Sequence, residues 1–258
     1  MSEVPIDGLT TRTFQDASEA SSFVADCPEN VVRMALCIAG ASGTERAGQC
    51  VAEHGVRGAM TRWLTDGQSD SRKMLVALNR VRDVVVATAA CGSRFIVPRS
   101  DEWPTAIDDL DVLAPAGLWV RGTGHLASLA ESQIAIVGSR SASAYGERIA
   151  SSMASHAVGR GVSIVSGGAN GIDAAAHRGA IAAGGSTVVV LACGVDVAYP
   201  AGNAGLFERA AQGGCIISEV PPQSQVRKHL FLTRNRLIAS LGVSTVVVEA
   251  AWRSGALN

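Results

Sequence analysis

Two glycine-rich segments offer the groups best suited to chemistry, and each directly follows a run of valine and isoleucine. The first is Gly138-Ser139-Arg140, and the second is Ser166-Gly167-Gly168-Ala169-Asn170-Gly171-Ile172-Asp173. Glycines let backbone amides approach an anion closely, and the helix that follows adds free N–H groups and the positive end of its dipole. A tight turn explains either segment alone, whereas two such segments with polar donors favour phosphate binding.

The segment 226–258 is basic, with five Lys or Arg residues against the single acid Glu249, a local balance of +4. Phe231 lies three residues after Lys228. Positive side chains beside an exposed ring suit single-stranded nucleic acid, because the charges follow the phosphates while a base stacks on the ring. Phe231 as a core residue of its helix is the alternative, although four nearby Leu and Ile residues, Leu230, Leu232, Leu237 and Ile238, can supply that core. The nucleic-acid candidates of this segment are Lys228, Phe231, Arg234, Asn235, Arg236, Arg253, Ser254 and Gly255.

Asp173 and His177 are four residues apart on one face of a predicted helix. They suit either a catalytic pair or an acidic N-cap with a partner that orients the loop, and the N-cap is favoured because no further carboxylate or nucleophile motif accompanies them. The G-x-G-x-x-G fingerprint is absent after the first strand of the predicted sheet, and no Gly-Lys-Ser/Thr occurs, which argues against NAD and NTP chemistry. The six cysteines are widely spaced and are expected to be small buried residues. We expect neither a cofactor nor a metal.

The composition predicts a globular protein. The 258 residues are 47% apolar and carry 22 basic and 23 acidic side chains, for a net charge of −1. This balance argues against a basic coat for nucleic acid but permits a local basic groove. No apolar run reaches the roughly 18–20 residues of a membrane span, and the acidic N-terminus is unlike a signal peptide. We expect a soluble cytoplasmic protein with no membrane contact.

Three regions differ in pattern along the chain. Residues 1–85 show helical spacing punctuated by glycine and predict a small helical domain. Residues 86–130 predict a connector packed on the next domain, because short β-branched runs alternate there with prolines. Short strands are predicted at 84–86, 95–97 and 118–122. Residues 131–258 predict the domain that binds DNA.

From residue 133 onward, β-branched runs alternate with helical stretches. Strands are predicted at 134–138, 162–166, 187–192, 215–218 and 244–248, with helices at 145–160, 171–183, 203–212 and 231–241. This alternation predicts an α/β fold, a Rossmann-like doubly wound parallel sheet preceded by the small helical domain. Ligands of such sheets bind beyond the carboxyl ends of the strands, where the glycine segments, Glu219 and Glu249 lie. The chain stops soon after the last strand, so we expect that strand to form an incompletely covered edge.

Six motifs occur in one order across residues 92–258. They are 136–140, 166–177, Cys193-Gly194-Val195-Asp196 with Tyr199-Pro200, 218–222, Phe231 with 234–239, and 248–251 with 253–255. In this order and spacing the motifs resemble the DprA family, also called Smf, of DNA-processing proteins in bacterial transformation. The helical N-terminus is similar to the variable helical domain of that family.

The resemblance implies a domain that binds and protects single-stranded DNA and helps to load the recombinase RecA onto it, without catalytic turnover. Arg140 and the 166–173 loop would hold phosphates, Lys228 and Phe231 would hold backbone and base, and residues 234–236 would shape the groove. His177, Glu219 and Glu249 would support these residues. Asn170 and Leu232 replace the Arg and Pro of many relatives. Relatives form a homodimer through a segment that follows residue 255, so we expect this chain to be mostly monomeric.

A nucleotide-processing enzyme of the phosphoribohydrolase type is the alternative, because it also uses a glycine loop that opens a helix. Its signature P-G-G-x-G-T-x-x-E is not matched by residues 166–173, which have neither the proline nor the glutamate. A truncated remnant without activity is the third hypothesis.

Overall fold

The computed structural model of the chain describes residues 13–66, 69–251 and 255. Two of the candidate residues, Arg253 and Ser254, lie outside these ranges. Within the described ranges, no helix is both long and apolar enough to cross a membrane.

Four helices form the N-terminal part as far as the structure describes it, from residue 13 onward: α1 (Ala17–Asp26), α2 (Glu29–Ile38), α3 (Glu45–Thr65) and α4 (Ser69–Ala90). Asp16 caps α1, because its carboxylate accepts hydrogen bonds from the Ser18 and Glu19 amides, both at 2.9 Å. Gly55 interrupts α3 with a φ of 70°, which glycine adopts at little steric cost. The helical region that the spacing predicts is therefore present, with a glycine kink inside one helix.

The predicted strand at Val84–Val86 is wrong, because α4 continues through these residues. Val84 and Val85 are buried together with Thr88, whereas Val86 is 53% exposed. Burial that recurs at a spacing of three and four residues is typical of a helix. Three consecutive valines fit both the two-residue repeat of a strand and the 3.6-residue repeat of a helix. The helical turns that precede them extend the helix through these residues.

Among the described residues, seven strands form one sheet: β1 (Ser93–Ile96), β2 (Leu118–Arg121), β3 (Gln133–Val137), β4 (Ser163–Ser166), β5 (Thr187–Val190), β6 (Cys215–Ser218) and β7 (Ser244–Val247). Their order is β1-β2-β6-β5-β4-β3-β7. The strands β3 to β7 are parallel, while β1 and β2 extend the sheet in antiparallel pairing. The segment predicted as a connector thus supplies two strands of the same sheet. The division of the chain at residues 85 and 130 stays a prediction.

In the described part of the chain, six α-helices follow or connect the strands: α5 (Leu126–Ala130), α6 (Ala144–Val158), α7 (Ile172–Ala182), α8 (Ala204–Gly213), α9 (Lys228–Thr233) and α10 (Asn235–Leu241). The single helix predicted over 231–241 is in fact two, α9 and α10, which meet at Arg234.

Alternate strand residues pack on opposite faces of the sheet. Ala135 and Val165 join the cluster of Leu237 from α10 on one face, and Ile136 and Ile164 pack with α6 and α7 on the other. A third cluster joins the N-terminal helices to β5 and β6. Helices on both faces of a mostly parallel sheet confirm the predicted Rossmann-like α/β fold with a helical part in front.

The strand β7 forms one edge of the described sheet, as the sequence predicts for its last strand. Val247 is 39% exposed, and Val246 and Val248 are half-buried. The strands β4, β5 and β6 lie in succession on one side of β3, whereas β7 lies on its other side, so the strand order reverses between β3 and β7. In open α/β sheets, such a switch point creates a crevice at the carboxyl ends of the strands, where ligands bind.

Four of the six cysteines are buried as predicted, whereas Cys50 and Cys91 are partly exposed. Burial raises the pKa of Cys37 and of Cys215 to about 12, and that of Cys193 to about 11. These three thiols therefore stay protonated near neutral pH and behave as apolar residues.

Candidate nucleic-acid interface

The two glycine segments lie side by side at the carboxyl ends of β3 and β4. The Ile172 amide donates a hydrogen bond to the Ser139 carbonyl at 3.2 Å. Gly171 has a φ of 73°, and a Cβ atom there would collide with the carbonyl oxygens of Ser139 and Arg140. Only glycine fits this approach, which brings the loop that carries Arg140 against the start of α7.

Glu249 fixes the loop after β3 from the neighbouring strand. Its carbonyl accepts a hydrogen bond from the Ser139 amide at 2.6 Å. Its carboxylate accepts the Ser143 amide at 3.1 Å and the Ser143 hydroxyl at 2.8 Å. Ser143 is the N-cap of α6, and its hydroxyl also accepts the Gly146 amide at 3.0 Å. The structure thus places Glu249 as a support of the loop rather than as a ligand-binding group.

Arg140, Phe231 and Tyr199 form a group that we call the aromatic cluster. The guanidinium carbon of Arg140 lies 4.6 Å from the centroid of the Phe231 ring, within the range of a cation–π interaction. The Tyr199 ring lies 5.7 Å from the Phe231 ring, centroid to centroid, at a tilt of 48°. Three separate segments of the chain therefore meet at Phe231.

The surroundings of Phe231 differ from those of a core residue. Phe231 is half-buried, no side chain of α9 is fully buried, and Phe231 belongs to none of the hydrophobic clusters of the described residues. Leu237 and Ile238 supply the core as predicted, but Leu230 is only half-buried and Leu232 is 50% exposed. The ring therefore packs mainly against a cation and a second ring at the surface.

Tyr199 is a further candidate. It belongs to the sequence motif that ends in Tyr199-Pro200, but the sequence predicts no role for it. Its side chain is 42% exposed. The only signal in the sequence is its position a few residues after Cys193-Gly194, at the carboxyl end of a strand. An isolated tyrosine in a loop does not reveal which ring it will meet, because that contact depends on the tertiary fold.

Exposed cations lie within the aromatic cluster and close to Phe231 in the chain. Arg140, Arg227 and Lys228 are all exposed, and Lys228 begins the helix that carries Phe231. Within the part of the chain that the structure describes, none of these three side chains forms a salt bridge. Their charges are therefore available to an anionic ligand.

Ser166 and Asp173 point into the protein, which corrects their expected contact with phosphate. The Ser166 hydroxyl donates to the Ile136 carbonyl at 2.6 Å, and the Asp173 carboxylate accepts the Ala169 amide at 3.3 Å. Burial raises the pKa of Asp173, against the opposing effect of Arg234. The N-cap of α7 is Gly171 and not an acidic residue. Asp173 closes the glycine loop from inside.

Arg234 is also buried, with its guanidinium against Gly167. A Cβ atom at Gly167 would collide with that guanidinium. Its Nη1 donates to the Val190 carbonyl at 2.7 Å, and its Nε has no partner in the described structure. Burial lowers the pKa of Arg234, and the charge of Asp173 acts in the opposite direction. Arg234 therefore forms part of the floor beneath the glycine loop.

His177 does not pair with Asp173, which corrects the expected orienting role. It is fully buried, and its Nδ1 lies 2.7 Å from the Thr187 hydroxyl. Burial, with smaller contributions from Arg234 and Arg178, lowers the pKa of His177 to about 3. The imidazole is therefore neutral near pH 7 and joins α7 to β5.

Arg236, which was expected to shape the groove, is bound to Glu219. Its Nη2 donates to both carboxylate oxygens of Glu219, at 2.8 and 2.7 Å, and its Nε donates to the Leu113 carbonyl at 2.9 Å. The Ser42 hydroxyl donates to the same carboxylate at 2.6 Å. Both partners of the ion pair have side chains that are only 12% exposed. The pair joins the N-terminal helices to α10.

Two asparagines hold segments near the crevice. The Asn235 side chain donates to the Gly255 carbonyl at 3.0 Å, which brings these two candidates together. The buried Asn203 donates to the Gly168 carbonyl at 3.0 Å and thereby fixes the glycine loop. The sequence does not identify Asn203 as a site residue, because its contact with Gly168 spans 35 residues.

Comparisons with known proteins show which family the chain resembles in sequence and fold. A family model described as DNA recombination-mediator protein A matches residues 94–258. A DNA processing protein DprA of Mycobacterium tuberculosis is 44% identical over 191 residues, which cover 70% of this chain and 49% of that protein. DNA processing protein DprA of Bacillus subtilis is 36% identical over 143 residues, or 55% of this chain and 48% of that protein. The chain spans about half the length of these two relatives.

Two solved structures are similar to the chain. DNA processing protein A (DprA) of Streptococcus pneumoniae aligns with a TM-score of 0.65 and 24% identity over 95% of this chain and 82% of that one, which shows the shared fold. DNA processing protein A of Helicobacter pylori, described with a single-stranded DNA binding mode, aligns with a TM-score of 0.56 and 29% identity over 64% of this chain and 73% of that one. Because the family model matches well over half of the chain, the chain belongs to the DNA recombination-mediator protein A family, whose members are named DprA or Smf.

Proposed function

We propose that the chain binds single-stranded DNA in the crevice beside the aromatic cluster. The observation that supports this most strongly is Phe231, a half-buried ring that lies outside the hydrophobic clusters, between the Arg140 guanidinium and the Tyr199 ring. Rings beside exposed cations suit single strands, whose bases are free to stack. The Helicobacter pylori relative, described with a single-stranded DNA binding mode, supports the same ligand.

The residues divide between phosphate and base. We assign phosphates to the side chains of Arg140 and Lys228, beside the Gly168 amide of the glycine loop. Phe231 and Tyr199 are assigned to a base. A base that stacks on the face of Phe231 covered by Arg140 takes the place of that guanidinium, which then reaches a neighbouring phosphate. Arg140 thus contacts the Phe231 ring in the free protein and a phosphate in the proposed complex with DNA.

Binding titrations with single-stranded DNA and a duplex of equal length test this proposal. We expect tighter binding to the single strand with little sequence preference, because only unpaired bases are free to stack on the Phe231 and Tyr199 rings and every base has a face that stacks. We also expect affinity to fall steeply with salt, since each phosphate contact releases counterions. Equal affinity for the duplex, or a flat response to salt, contradicts the proposal.

We further propose, from the family to which the chain belongs, that it acts in the cytoplasm, protects incoming DNA and helps to load RecA onto it. The test is the lag before DNA-dependent ATP hydrolysis by RecA on a single strand that is coated with single-strand-binding protein. We expect the chain to shorten the lag, and a Phe231→Ala variant to do so less. A lag that the chain leaves unchanged contradicts RecA loading without affecting the DNA-binding proposal. Light scattering reports whether the chain is a monomer or a homodimer.

We propose a binding role without turnover. A phosphoribohydrolase-type site needs an acidic group that faces the ligand from the glycine loop, whereas the Asp173 carboxylate faces the protein interior. Incubation with nucleoside monophosphates is the test. Release of free base contradicts the binding role and supports the enzyme.

A further inference from the structure

A second pair of an arginine and an aromatic ring lies near the aromatic cluster and has no role so far. The guanidinium carbon of Arg148 lies 5.9 Å from the centroid of the Tyr145 ring. Tyr145 is 66% exposed, the largest value for an aromatic side chain among the described residues. It belongs to none of the hydrophobic clusters found there. Packing of the core therefore does not explain this ring.

The chain connects the two pairs through a short, well-supported segment. Tyr145 lies in the first turn of α6, five residues after Arg140. Five residues span at most about 17 Å. Glu249 holds both ends of this segment, through the Ser139 amide and through Ser143. The two arginine–aromatic pairs therefore have a common rigid support at the same edge of the sheet.

The charge around Tyr145 is also suitable for contact with the phosphate backbone of single-stranded DNA. Tyr145 and Arg148 are three residues apart and share one face of the helix. The intervening Glu147 lies toward α7, where its carboxylate is 3.9 Å from the Arg178 guanidinium. Within the described ranges, Arg148 has no acidic partner at salt-bridge distance. Its positive charge is therefore not neutralised by the protein.

We propose that Tyr145 and Arg148 form a second stacking site, which extends the path of single-stranded DNA from the aromatic cluster along the start of α6. Tyr145 stacks on a base, and Arg148 contacts an adjacent phosphate. At the 3.4 Å spacing per nucleotide of one duplex strand, a separation of at most about 17 Å corresponds to no more than roughly five nucleotides. This inference rests on the proposed binding of single-stranded DNA at Phe231.

The test measures affinity for oligothymidylates of three, six, nine and twelve nucleotides. We expect Phe231→Ala to weaken binding at every length. We expect Tyr145→Ala to weaken binding by about fivefold to 150-fold, the range for loss of one stacked base, but only for the longer strands. Tyr145→Phe keeps the ring and should bind as the parent does. Because Tyr145 is exposed, its variants should melt at the parent temperature.

Arg148→Ala is compared with Arg160→Ala, which removes the same charge just beyond the other end of α6. We expect Arg148→Ala to reduce the salt dependence of long-strand binding by about 0.7 in log–log slope, the value for one phosphate contact of a single strand, and Arg160→Ala to leave it unchanged.

The outcomes separate the two proposals. If Tyr145→Ala binds oligothymidylates of every length as the parent does, or loses the same affinity for every length, the proposal of a second stacking site is wrong. The proposal that DNA binds at Phe231 is not contradicted by either result. Equal slopes for Arg148→Ala and Arg160→Ala also contradict it. If the parent binds no oligothymidylate, the proposed function itself fails, and the second site falls with it.

Discussion

The buried His177 allows a quantitative prediction about pH and stability. Burial lowers the pKa of its imidazole from the ordinary 6.5 to about 3 in the folded chain. The neutral imidazole therefore favours folding above pH 6.5, and this contribution is lost as the pH falls from 6.5 toward 3, because the unfolded chain takes up a proton first. At about 1.36 kcal/mol per pH unit and per proton, lowering the pH from 7.5 to 5.0 costs about 2 kcal/mol through this residue alone.

Urea denaturation of the parent and of His177→Gln at both pH values measures this effect. For each protein, the free energy of unfolding at pH 5.0 is compared with its own value at pH 7.5. A lower stability of the variant at both pH values therefore does not affect the comparison. The other titrating groups are common to both proteins and cancel. We expect the parent to lose about 2 kcal/mol more than the variant between pH 7.5 and 5.0. Equal losses would refute the assignment of His177 as a neutral core residue.

Three further predictions concern the interface and its support. Arg140→Ala should weaken binding of single-stranded DNA and lower its salt slope by about 0.7, while the exposed Arg160 gives the charge-matched control. Tyr199→Ala should weaken binding without a change in salt slope, because it removes a ring and no charge; a reduced slope would contradict the assignment to a base. Glu219→Ala should lower the free energy of unfolding by about 3–5 kcal/mol, because it removes both carboxylate oxygens that pair with the nearly buried Arg236, and should leave the salt slope of DNA binding unchanged. An Arg236→Ala variant that unfolds like the parent but has a lower salt slope would show instead that Arg236 binds DNA.

The sheet is the part of the fold that the sequence predicts best. Runs such as Ile134–Val137 and Cys215–Ile217 are β-branched or apolar throughout and end at glycine or polar residues, so both their type and their ends are recognisable. The pairing of β1 and β2 with this sheet could not be predicted, because antiparallel addition at an edge depends on contacts far apart in sequence. The β2–β6 pairing, for example, joins Trp119 to Ser218.

The candidate site shows a similar limit. Sequence places Arg234, Arg236 and Lys228 in one basic segment, but the fold gives them three different environments. Arg234 lies at the junction of α9 and α10 and turns inward, Arg236 meets Glu219, and Lys228 is exposed. A count of charges does not distinguish a free cation from one with a partner, because the partner is chosen by tertiary packing.

The most direct measurement is the binding of an oligothymidylate to the parent and to Phe231→Ala, together with the melting temperature of each. The Phe231 ring at the surface, beside Arg140 and Tyr199, predicts that binding weakens by about 1–3 kcal/mol with an unchanged salt slope and a nearly unchanged melting temperature. A strong fall in the melting temperature with intact binding would show instead that Phe231 is a core residue and that the DNA-binding site lies elsewhere.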